Sequence, residues 1–301
     1  MKINILSDYL KNLYGRKVYK LSLSGGMTCP NRDGVCGSGG CIFCSEEGAG
    51  EFAERYTHDI SLQIDRAKLR LNEKEREHDG YIAYFQAFTN TYADVEYLEK
   101  LYTEVIARDD ILILSIATRP DCLEDEKIEL LNKLNKIKPV WVELGLQTSN
   151  DETADFIRRG YPLSLYLEKA KKLRDNGITV ITHLILGLPN ETKADMIKSA
   201  KLAGENSHGI KFHMLYVQKN TELFNIYMDN KIELLSLDEY VDILCDCIRH
   251  LPENVVIHRM TGDAPKESLV APIWSRDKIK VLREIHNAFY DNNLIQGEYL
   301  K

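Results

Sequence analysis

Four cysteines are concentrated in one short, glycine-rich segment near the start of the chain, at Cys29, Cys36, Cys41 and Cys44. The chain has 7 cysteines in all, and a secreted disulfide framework would normally spread its cysteines and pair them. Crowded thiols are more typical of metal or cluster ligands in a reducing compartment. Zinc and iron–sulfur clusters both take tetrahedral thiolate ligation. The cysteines alone therefore leave a structural zinc site and an iron–sulfur site equally open.

Short β-rich apolar runs alternate with stretches of helical periodicity along most of the chain. The predicted strands are Val18–Leu23, Tyr81–Phe88, Ile111–Thr118, Val140–Gln147, Thr179–Leu186 and Ile210–Val217. The predicted helices between them include Asp94–Ile106, Asp125–Ile137 and Ser164–Asn176. Alternating strands and helices predict an α/β fold with a parallel sheet. Six such units indicate either a doubly wound sheet or a partial (βα)6 TIM-like barrel.

The alternation stops after about Thr221. A helical stretch at Asp238–His250, a short strand at Val255–His258 and a terminal helix follow. We therefore predict a barrel domain over residues 1–220 and a small α/β extension over residues 221–301, which could contact a substrate.

Polar clusters follow the predicted strands at the edge where parallel α/β folds carry their sites. The cysteine segment follows the first strand, and Thr89-Asn90-Thr91, Arg119-Pro120-Asp121 and Gln147-Thr148-Ser149 follow the second, third and fourth. This arrangement puts the thiols at the mouth of a barrel. The barrel context favours an iron–sulfur cluster over structural zinc.

Composition and charge limit the classes of function that the chain can have. The longest apolar run, Ile111–Ala117, is too short to span a bilayer, and the first ten residues lack the pattern of a signal peptide. We therefore expect a cytoplasmic protein without a membrane partner. The formal net charge of −7 argues against nucleic-acid binding through the overall field, although it leaves room for a local basic patch.

A series of motifs in a fixed order carries a family resemblance over nearly the whole chain. The cysteine segment reads Cys-Pro-Asn-Arg-Asp-Gly from Cys29 and ends Gly-Gly-Cys-Ile-Phe-Cys at Cys44. It is followed by Ser115-Ile-Ala-Thr-Arg-Pro-Asp121, Val142-Glu-Leu-Gly-Leu-Gln147, Arg158-Arg-Gly160, Gly187-Leu-Pro189, Lys211-Phe-His-Met-Leu215 and Ile257-His-Arg-Met-Thr-Gly-Asp-Ala-Pro265. The chain resembles the YhcC/YtqA-type radical S-adenosylmethionine (SAM) proteins, which are relatives of the radical SAM half of the Elongator catalytic subunit.

The resemblance implies a radical SAM partial barrel with a 4Fe–4S cluster and SAM as cofactors. In such enzymes three thiolates hold the cluster and the fourth iron binds the amino and carboxylate groups of SAM. The C-x11-C-x2-C spacing assigns the ligands to Cys29, Cys41 and Cys44 and leaves Cys36 outside the motif. Reductive cleavage of SAM also implies an electron donor such as flavodoxin or ferredoxin.

The same resemblance implies a set of SAM contacts. Gln147 and Arg159 correspond to positions that meet the ribose and the carboxylate of SAM, and a guanidinium suits a carboxylate. The segment Gln86–Asn90 would meet the SAM amino group through backbone carbonyls. Glu143 and His183 are further candidates for SAM binding. A structural salt bridge at Glu143 and a core histidine at His183 are the alternatives.

The resemblance points to a tRNA wobble uridine as the substrate. Arg276, Lys280 and Arg283 are predicted to share one face of the terminal helix, where they could meet phosphates or simply be solvated. Arg259 and His213 are the other candidates for substrate contact, with a core histidine as the alternative at His213. A radical SAM enzyme that acts on a small metabolite and a zinc-binding scaffold remain the alternative functions.

Overall fold

The computed structural model describes residues 2–71 and 80–300. Seven parallel strands form one sheet, in the order β1-β2-β3-β4-β5-β6-β8. They are β1 (Tyr19–Leu23), β2 (Tyr81–Phe85), β3 (Ile111–Thr118), β4 (Val140–Gln147), β5 (Thr179–Leu186), β6 (Gly209–Met214) and β8 (Val256–Met260). The order follows the chain, as expected when each strand is joined to its neighbour by a crossover. The sheet is an open half-barrel, which confirms the predicted α/β barrel class and adds a seventh strand.

Helices cover the outer face of the sheet and its edges. They are α1 (Leu6–Tyr14), α2 (Ile60–Leu69), α3 (Val95–Ile106), α4 (Asp125–Asn135), α5 (Asp151–Phe156), α6 (Leu163–Asp175), α7 (Lys193–Asn206), α8 (Glu222–Met228), α9 (Leu237–Arg249) and α10 (Lys278–Asp291). Within the described ranges none of the helices is long and apolar enough to cross a membrane. Helix α9 begins with a capping box, in which Ser236 and Glu239 each bond the other's backbone N–H.

The consecutive apolar residues of the strands are explained by burial on both faces. The outer face packs against the helices in the main core, which includes Leu114, Val142 and Leu184. The inner face near the amino ends of the strands packs in a second cluster with Leu10 of α1, Ile113 and Trp141. Strands covered on both sides read as unbroken apolar runs, which explains why β3, β4 and β5 end where the sequence predicts.

Two predicted strands are too long at their carboxyl ends. The second strand stops at Phe85, three residues early, and Phe88 adopts a left-handed φ of 57° in the loop that follows. The sixth strand stops at Met214. Val217 and Gln218 instead form β7, which pairs antiparallel with β9 (Leu269–Ala271) in a separate two-stranded sheet. Apolar composition extends past both strand ends because the chain there is buried at the mouth of the barrel.

The carboxyl-terminal segment is built into the sheet. Strand β8 pairs in parallel with β6, and Lys211 lies opposite Arg259 in the register. Helix α9 packs on α7, and α10 packs on α9 through Val281, Ile285 and Phe289. The domain division at residue 220 stays a prediction. Strands β6 and β8, which lie on either side of it in the sequence, pair in one sheet.

Candidate functional site

Three of the four clustered cysteines line one cavity at the carboxyl ends of the strands. Cys29, Cys41 and Cys44 share this cavity with residues of β4, β5, β6 and β8. Cys36 is exposed outside the cavity, where Arg119 Nη2 lies 3.3 Å from its Sγ. The folded chain therefore separates Cys36 from the three cysteines of the predicted ligand set.

Side chains within the cysteine loop fix its shape. Asn31 donates from Nδ2 to the carbonyl oxygen of Arg158 at 2.7 Å and approaches the Sγ of Cys41 at 3.6 Å. Arg32 donates to the carbonyl oxygens of Cys44, Ser45 and Glu46. Gly37 packs so closely on this loop that a Cβ there would lie 2.1 Å from Asn31 Oδ1. The loop is thus held in shape by polar contacts before any ligand binds.

Burial opposes ionisation of the cavity-lining thiols. It raises the pKa of Cys41 to about 12 and also raises the pKa of Cys44. Metal ions bind the thiolate form, and binding therefore expels these protons. In residues 2–71 and 80–300 no three His, Cys, Asp or Glu side chains converge to hold a single metal ion. Thiolates are the usual ligands of iron–sulfur clusters, so the three cavity-lining thiols fit such a cluster chemically.

A buried ionic layer forms the floor of the cavity. Both oxygens of Glu143, which is 1% exposed, accept hydrogen bonds. Oε1 accepts from Lys20 Nζ at 3.2 Å and Ser115 Oγ at 2.8 Å, while Oε2 accepts from His183 Nε2 at 2.8 Å and from Lys211 Nζ. Four donors fill the acceptor sites of one carboxylate. Glu143 thus forms the structural salt bridge that was the alternative for this residue, and the prediction that it also contacts SAM stays a prediction.

Charge and burial set the protonation states of this layer. Burial opposes ionisation of Glu143, but Lys20, Lys211 and the hydrogen bond from His183 outweigh it and hold the pKa of Glu143 well below its usual range. Burial, with the nearby Lys211, lowers the pKa of His183 to about 4, so its imidazole is neutral at pH 7. The Tyr84 ring lies 4.6 Å from Lys20 Nζ and 4.2 Å from Lys211 Nζ, which adds a cation–π contact to both ammonium groups.

Several predicted cofactor contacts do line the cavity. Gln147, which has a left-handed φ of 61° at the end of β4, contacts the hydroxyl of Tyr161 at 3.2 Å. Gln86 donates from Nε2 to Ala49 O at 2.7 Å, and His183 lies above the ionic layer. Gln86, Gln147 and His183 are therefore brought together with the three cysteines.

The Asn90 side chain is bonded to backbone carbonyls. It is fully buried, and its Nδ2 donates to the carbonyl oxygens of Phe85, Ala87 and Ala117 at 3.0 to 3.2 Å. Asn90 thus joins the ends of β2 and β3. These bonds use the amide nitrogen, while Asn90 Oδ1 has no hydrogen-bond partner in the described residues. The predicted contact of the Gln86–Asn90 segment with SAM through backbone carbonyls stays a prediction.

Arg159 is also committed to the protein itself. It is 1% exposed and donates to the carbonyl oxygens of Leu146, Thr148 and Tyr161 and to the carboxylate of Asp151, at 2.7 to 2.9 Å. These contacts use four of the five guanidinium N–H donors. This side chain fixes the turn after β4 and also lines the cavity, and the prediction that it clamps the SAM carboxylate stays a prediction. Arg158, by contrast, is exposed and paired with Glu222 at 2.8 Å.

The predicted substrate residues fall into two groups. His213 and Arg259 line the cavity, and the rings of His183 and His213 have centroids 5.3 Å apart. Arg276 precedes helix α10 in a 3-10 turn and donates to Leu269 O at 3.0 Å, so the expected shared helical face with Lys280 and Arg283 is wrong. Lys280 and Arg283 are exposed on α10 itself.

Most residues that surround Glu143 and the cysteine loop were not predicted from the sequence. Lys20 and Lys211 lie within apolar strands, and a charged residue at such a position indicates a buried partner. That signal was present for both lysines. Arg119 and Tyr161 lie against each other at 4.9 Å and line the cavity with Cys41 and Gln147. The Arg119-Pro120-Asp121 cluster marks Arg119 in the sequence, whereas no pattern marks Tyr161.

Comparison with known proteins defines the class of this protein. A family model described as the radical SAM superfamily matches residues 31–203, and one described as the radical SAM carboxyl-terminal domain matches residues 207–291. The chain belongs to the radical SAM superfamily. A 4Fe–4S cluster and SAM, the predicted cofactors, are the cofactors of that superfamily, while the residues that hold them here stay a prediction.

Individual relatives narrow the family further. YtqA of Bacillus subtilis (strain 168) is 43% identical over 302 residues, which cover 100% of this chain and 93% of that protein, so the chain belongs to the YtqA family. The tRNA uridine(34) acetyltransferase of Methanocaldococcus jannaschii is 27% identical over 161 residues, which cover 52% of this chain and 29% of that protein. The Elp3 structure from Methanocaldococcus infernus matches with a TM-score of 0.67 at 17% identity, over 93% of this chain and 64% of that chain, and is similar in fold.

Proposed function

We propose that this protein is an enzyme that holds a 4Fe–4S cluster on Cys29, Cys41 and Cys44 and binds SAM in the adjoining cavity. The observation that carries the proposal is that these three thiols line one cavity while Cys36 lies outside it. The donor set fits the cluster chemically, because thiolates are its usual ligands. The chemistry that such a cluster and SAM supply together is reductive cleavage of SAM and abstraction of a hydrogen atom from a substrate.

The chain's own residues would bind and orient SAM and would exclude water from the cavity. Gln86 and Gln147 offer amide groups to the polar parts of SAM, and His183, held on Glu143, offers an oriented imidazole. Phe43 and Ile185 line the cavity with apolar surface, which keeps water away from a reactive intermediate. A one-electron donor such as flavodoxin or ferredoxin and a cytoplasmic location complete the proposal.

We further propose that the substrate is the side chain of a tRNA wobble uridine. Support comes from the similarity to a tRNA uridine(34) acetyltransferase over about half of this chain. His213 and Arg259 in the cavity are the proposed contacts to the reacting group, and Arg276, Lys280 and Arg283 are proposed contacts to the tRNA backbone. Phosphate contacts of this kind would position tRNA without reading its sequence.

Profiling of modified nucleosides tests the substrate directly. Deleting the gene should change the wobble-uridine profile of total tRNA, and the intact gene should restore it. A gene carrying Cys41→Ala should fail to restore it, whereas one carrying Cys36→Ala should succeed. An unchanged wobble-uridine profile in the deletion strain would reject tRNA as the substrate and favour a small metabolite, without bearing on SAM cleavage.

A further inference from the structure

The arginines around the cavity differ in how fully their donors are used. Arg159 is bonded as described, and Arg119 donates to both oxygens of Asp121 at 2.7 and 2.9 Å and to Arg159 O at 2.9 Å. Arg259 makes a single hydrogen bond, 3.3 Å long, from Nη2 to Asp263. Among the cavity-lining arginines of the described chain, Arg259 is thus the one whose guanidinium donors are largely unused.

The counter-ion of Arg259 has a second cation. Asp263 Oδ2 also accepts from Lys278 Nζ, at the shorter distance of 2.7 Å. Lys278 can therefore hold Asp263 when Arg259 turns toward a ligand, so that the carboxylate is not left unpaired. Arg259 side-chain exposure is 32%, which shows that the guanidinium is reachable from the cavity.

The groups next to Arg259 also favour the binding of an anion. Lys211 lies opposite Arg259 in the strand register and shares Glu143 with Lys20, so two lysines share one carboxylate. His213 is half-buried in the wall of the cavity, and its buried Nε2 has no hydrogen-bond partner in the described parts of the chain. Buried polar atoms normally find a partner, and a ligand group in the cavity would supply one to this nitrogen.

Arg259 stands where the cavity extends away from the cluster ligands. This extension, which we call the distal arm, is lined by Cys44 but not by Cys29 or Cys41. It shares Gln86, Gln147, His183 and His213 with the end that holds the three thiols, and the residues that line the arm but not that end include Glu51, Phe52, Tyr216, Gln218 and Asp263. Arg259 also lines the end of the cavity where all three thiols converge, so it lies between the two parts, whereas its counter-ion Asp263 lines the distal arm and not the thiol end. A group bound on the Asp263 side of Arg259 belongs to the molecule that occupies the distal arm.

We propose that Arg259, with His213 beside it, binds a carboxylate of the substrate in the distal arm. A guanidinium with free donors suits a carboxylate because the two planar groups form paired, charge-assisted hydrogen bonds. The substrate class is then a molecule whose reacting part carries an acidic group. The inference rests on the proposed SAM site in the same cavity, but it does not depend on tRNA as the substrate.

Binding of malonate to the reconstituted protein with saturating SAM tests this assignment, with uncharged malonamide as the matched probe. Malonate should bind saturably and malonamide much more weakly. Arg259→Gln should weaken malonate binding by about tenfold or more, the effect of losing hydrogen bonds to a charged group. Arg259→Lys should bind malonate with an intermediate affinity, because lysine keeps the positive charge but lacks the paired N–H donors of the guanidinium. Arg158→Gln, at an exposed arginine paired with Glu222, should bind malonate like the parent protein.

The affinity for SAM, measured on the same variants, shows whether Arg259 binds a carboxylate of the substrate or the carboxylate of SAM. Retained SAM affinity in Arg259→Gln shows that the variant is folded and that the site is not that of the SAM carboxylate. Competition between malonate and SAM, or a loss of SAM affinity in Arg259→Lys, would overturn the proposal by giving Arg259 to SAM. Equal malonate binding in Arg259→Gln and the parent would also overturn it. Neither result would bear on the wobble-uridine profile.

Discussion

Glu143 joins the strands of the site through a single carboxylate. Its carboxylate is the shared acceptor for Lys20, Ser115, His183 and Lys211, which come from β1, β3, β5 and β6. The strands that carry the cavity are therefore joined by one charge at their centre. An apolar strand with one carboxylate indicates a buried partner, but the partners lie 68 and 123 residues away in the sequence, so periodicity alone cannot name them.

Replacing Glu143 by Gln should destabilise the protein strongly. The substitution removes the counter-ion of the buried Lys211 and of the partly exposed Lys20, and breaking a buried ion pair in this way costs about 3–5 kcal/mol. Denaturant unfolding should show this loss in the free energy of unfolding. Ser115→Ala serves as the control, since it removes one neutral donor from the same carboxylate and should cost about 1 kcal/mol. Equal effects of the two substitutions would contradict the proposed ionic layer.

The pH dependence of stability has a definite sign at Glu143. Its pKa in the folded protein lies well below the ordinary value of 4.5. The folded state therefore favours the ionised form, and the resulting stabilisation is present above about pH 4.5 and lost as the pH falls through the folded pKa. Unfolding free energies measured from pH 6 downward should fall less steeply for Glu143→Gln than for the parent protein. A parallel fall in both proteins would assign the acid sensitivity to other groups.

At the scale of elements, the turn after β4 depends on one buried arginine. Arg159 donates hydrogen bonds to the carbonyl oxygens of Leu146 and Thr148, which precede helix α5, and of Tyr161, which follows it. The sequence singles out the Arg-Arg-Gly segment, whose contact with SAM stays a prediction. It does not tell whether the guanidinium of Arg158 or that of Arg159 is turned inward. The acceptors are backbone carbonyls, which every residue has, so the sequence does not mark them.

Arg159→Ala should therefore act on stability. Several buried carbonyls would lose charge-assisted hydrogen bonds, and we expect a loss of about 3 kcal/mol or more in the free energy of unfolding. Arg158→Ala, at the exposed neighbour paired with Glu222, should cost about 1 kcal/mol or less. Thermal and denaturant unfolding of both variants measure the difference. A fully stable Arg159→Ala protein that has lost only SAM affinity would support the clamp assignment.

The strands themselves were the most predictable elements. β3, β4 and β5 have the predicted bounds, because strands buried on both faces give continuous apolar runs with clear ends. The seventh strand was assigned to the extension, since a short strand after a long helix gives no indication of which sheet it joins. Its pairing with β6 is determined by tertiary packing, and it brings Arg259 beside Lys211.

For the whole molecule, an acidic chain that binds tRNA must do so through a few local contacts. The formal net charge is −7, while Lys280 and Arg283 are exposed on α10 and Lys278 at its start pairs with Asp263 at the rim of the cavity. A small basic surface neutralises few phosphates, and the salt dependence of binding scales with that number. The tRNA proposal therefore predicts a shallow salt dependence.

Reversing Lys280 and Arg283 to Glu should weaken tRNA binding and flatten its salt dependence further, with SAM cleavage in the absence of substrate unchanged. Filter binding or fluorescence anisotropy between about 50 and 200 mM salt measures both quantities. Lys171→Glu together with Lys198→Glu provides a control of equal charge change on α6 and α7. If the control pair lowered the affinity as much as the α10 pair, tRNA would be responding to overall charge and the local surface would be rejected.

Reductive cleavage of SAM by the anaerobically reconstituted protein tests the central claim most directly. The parent protein and Cys36→Ala should bind about four irons with matching sulfide and release 5′-deoxyadenosine from SAM after reduction. Cys29→Ala, Cys41→Ala and Cys44→Ala should each lose both properties. A parent protein that binds zinc in place of iron and sulfide, or a Cys36→Ala variant that alone loses SAM cleavage, would contradict the assignment of the cluster to the three cavity-lining cysteines.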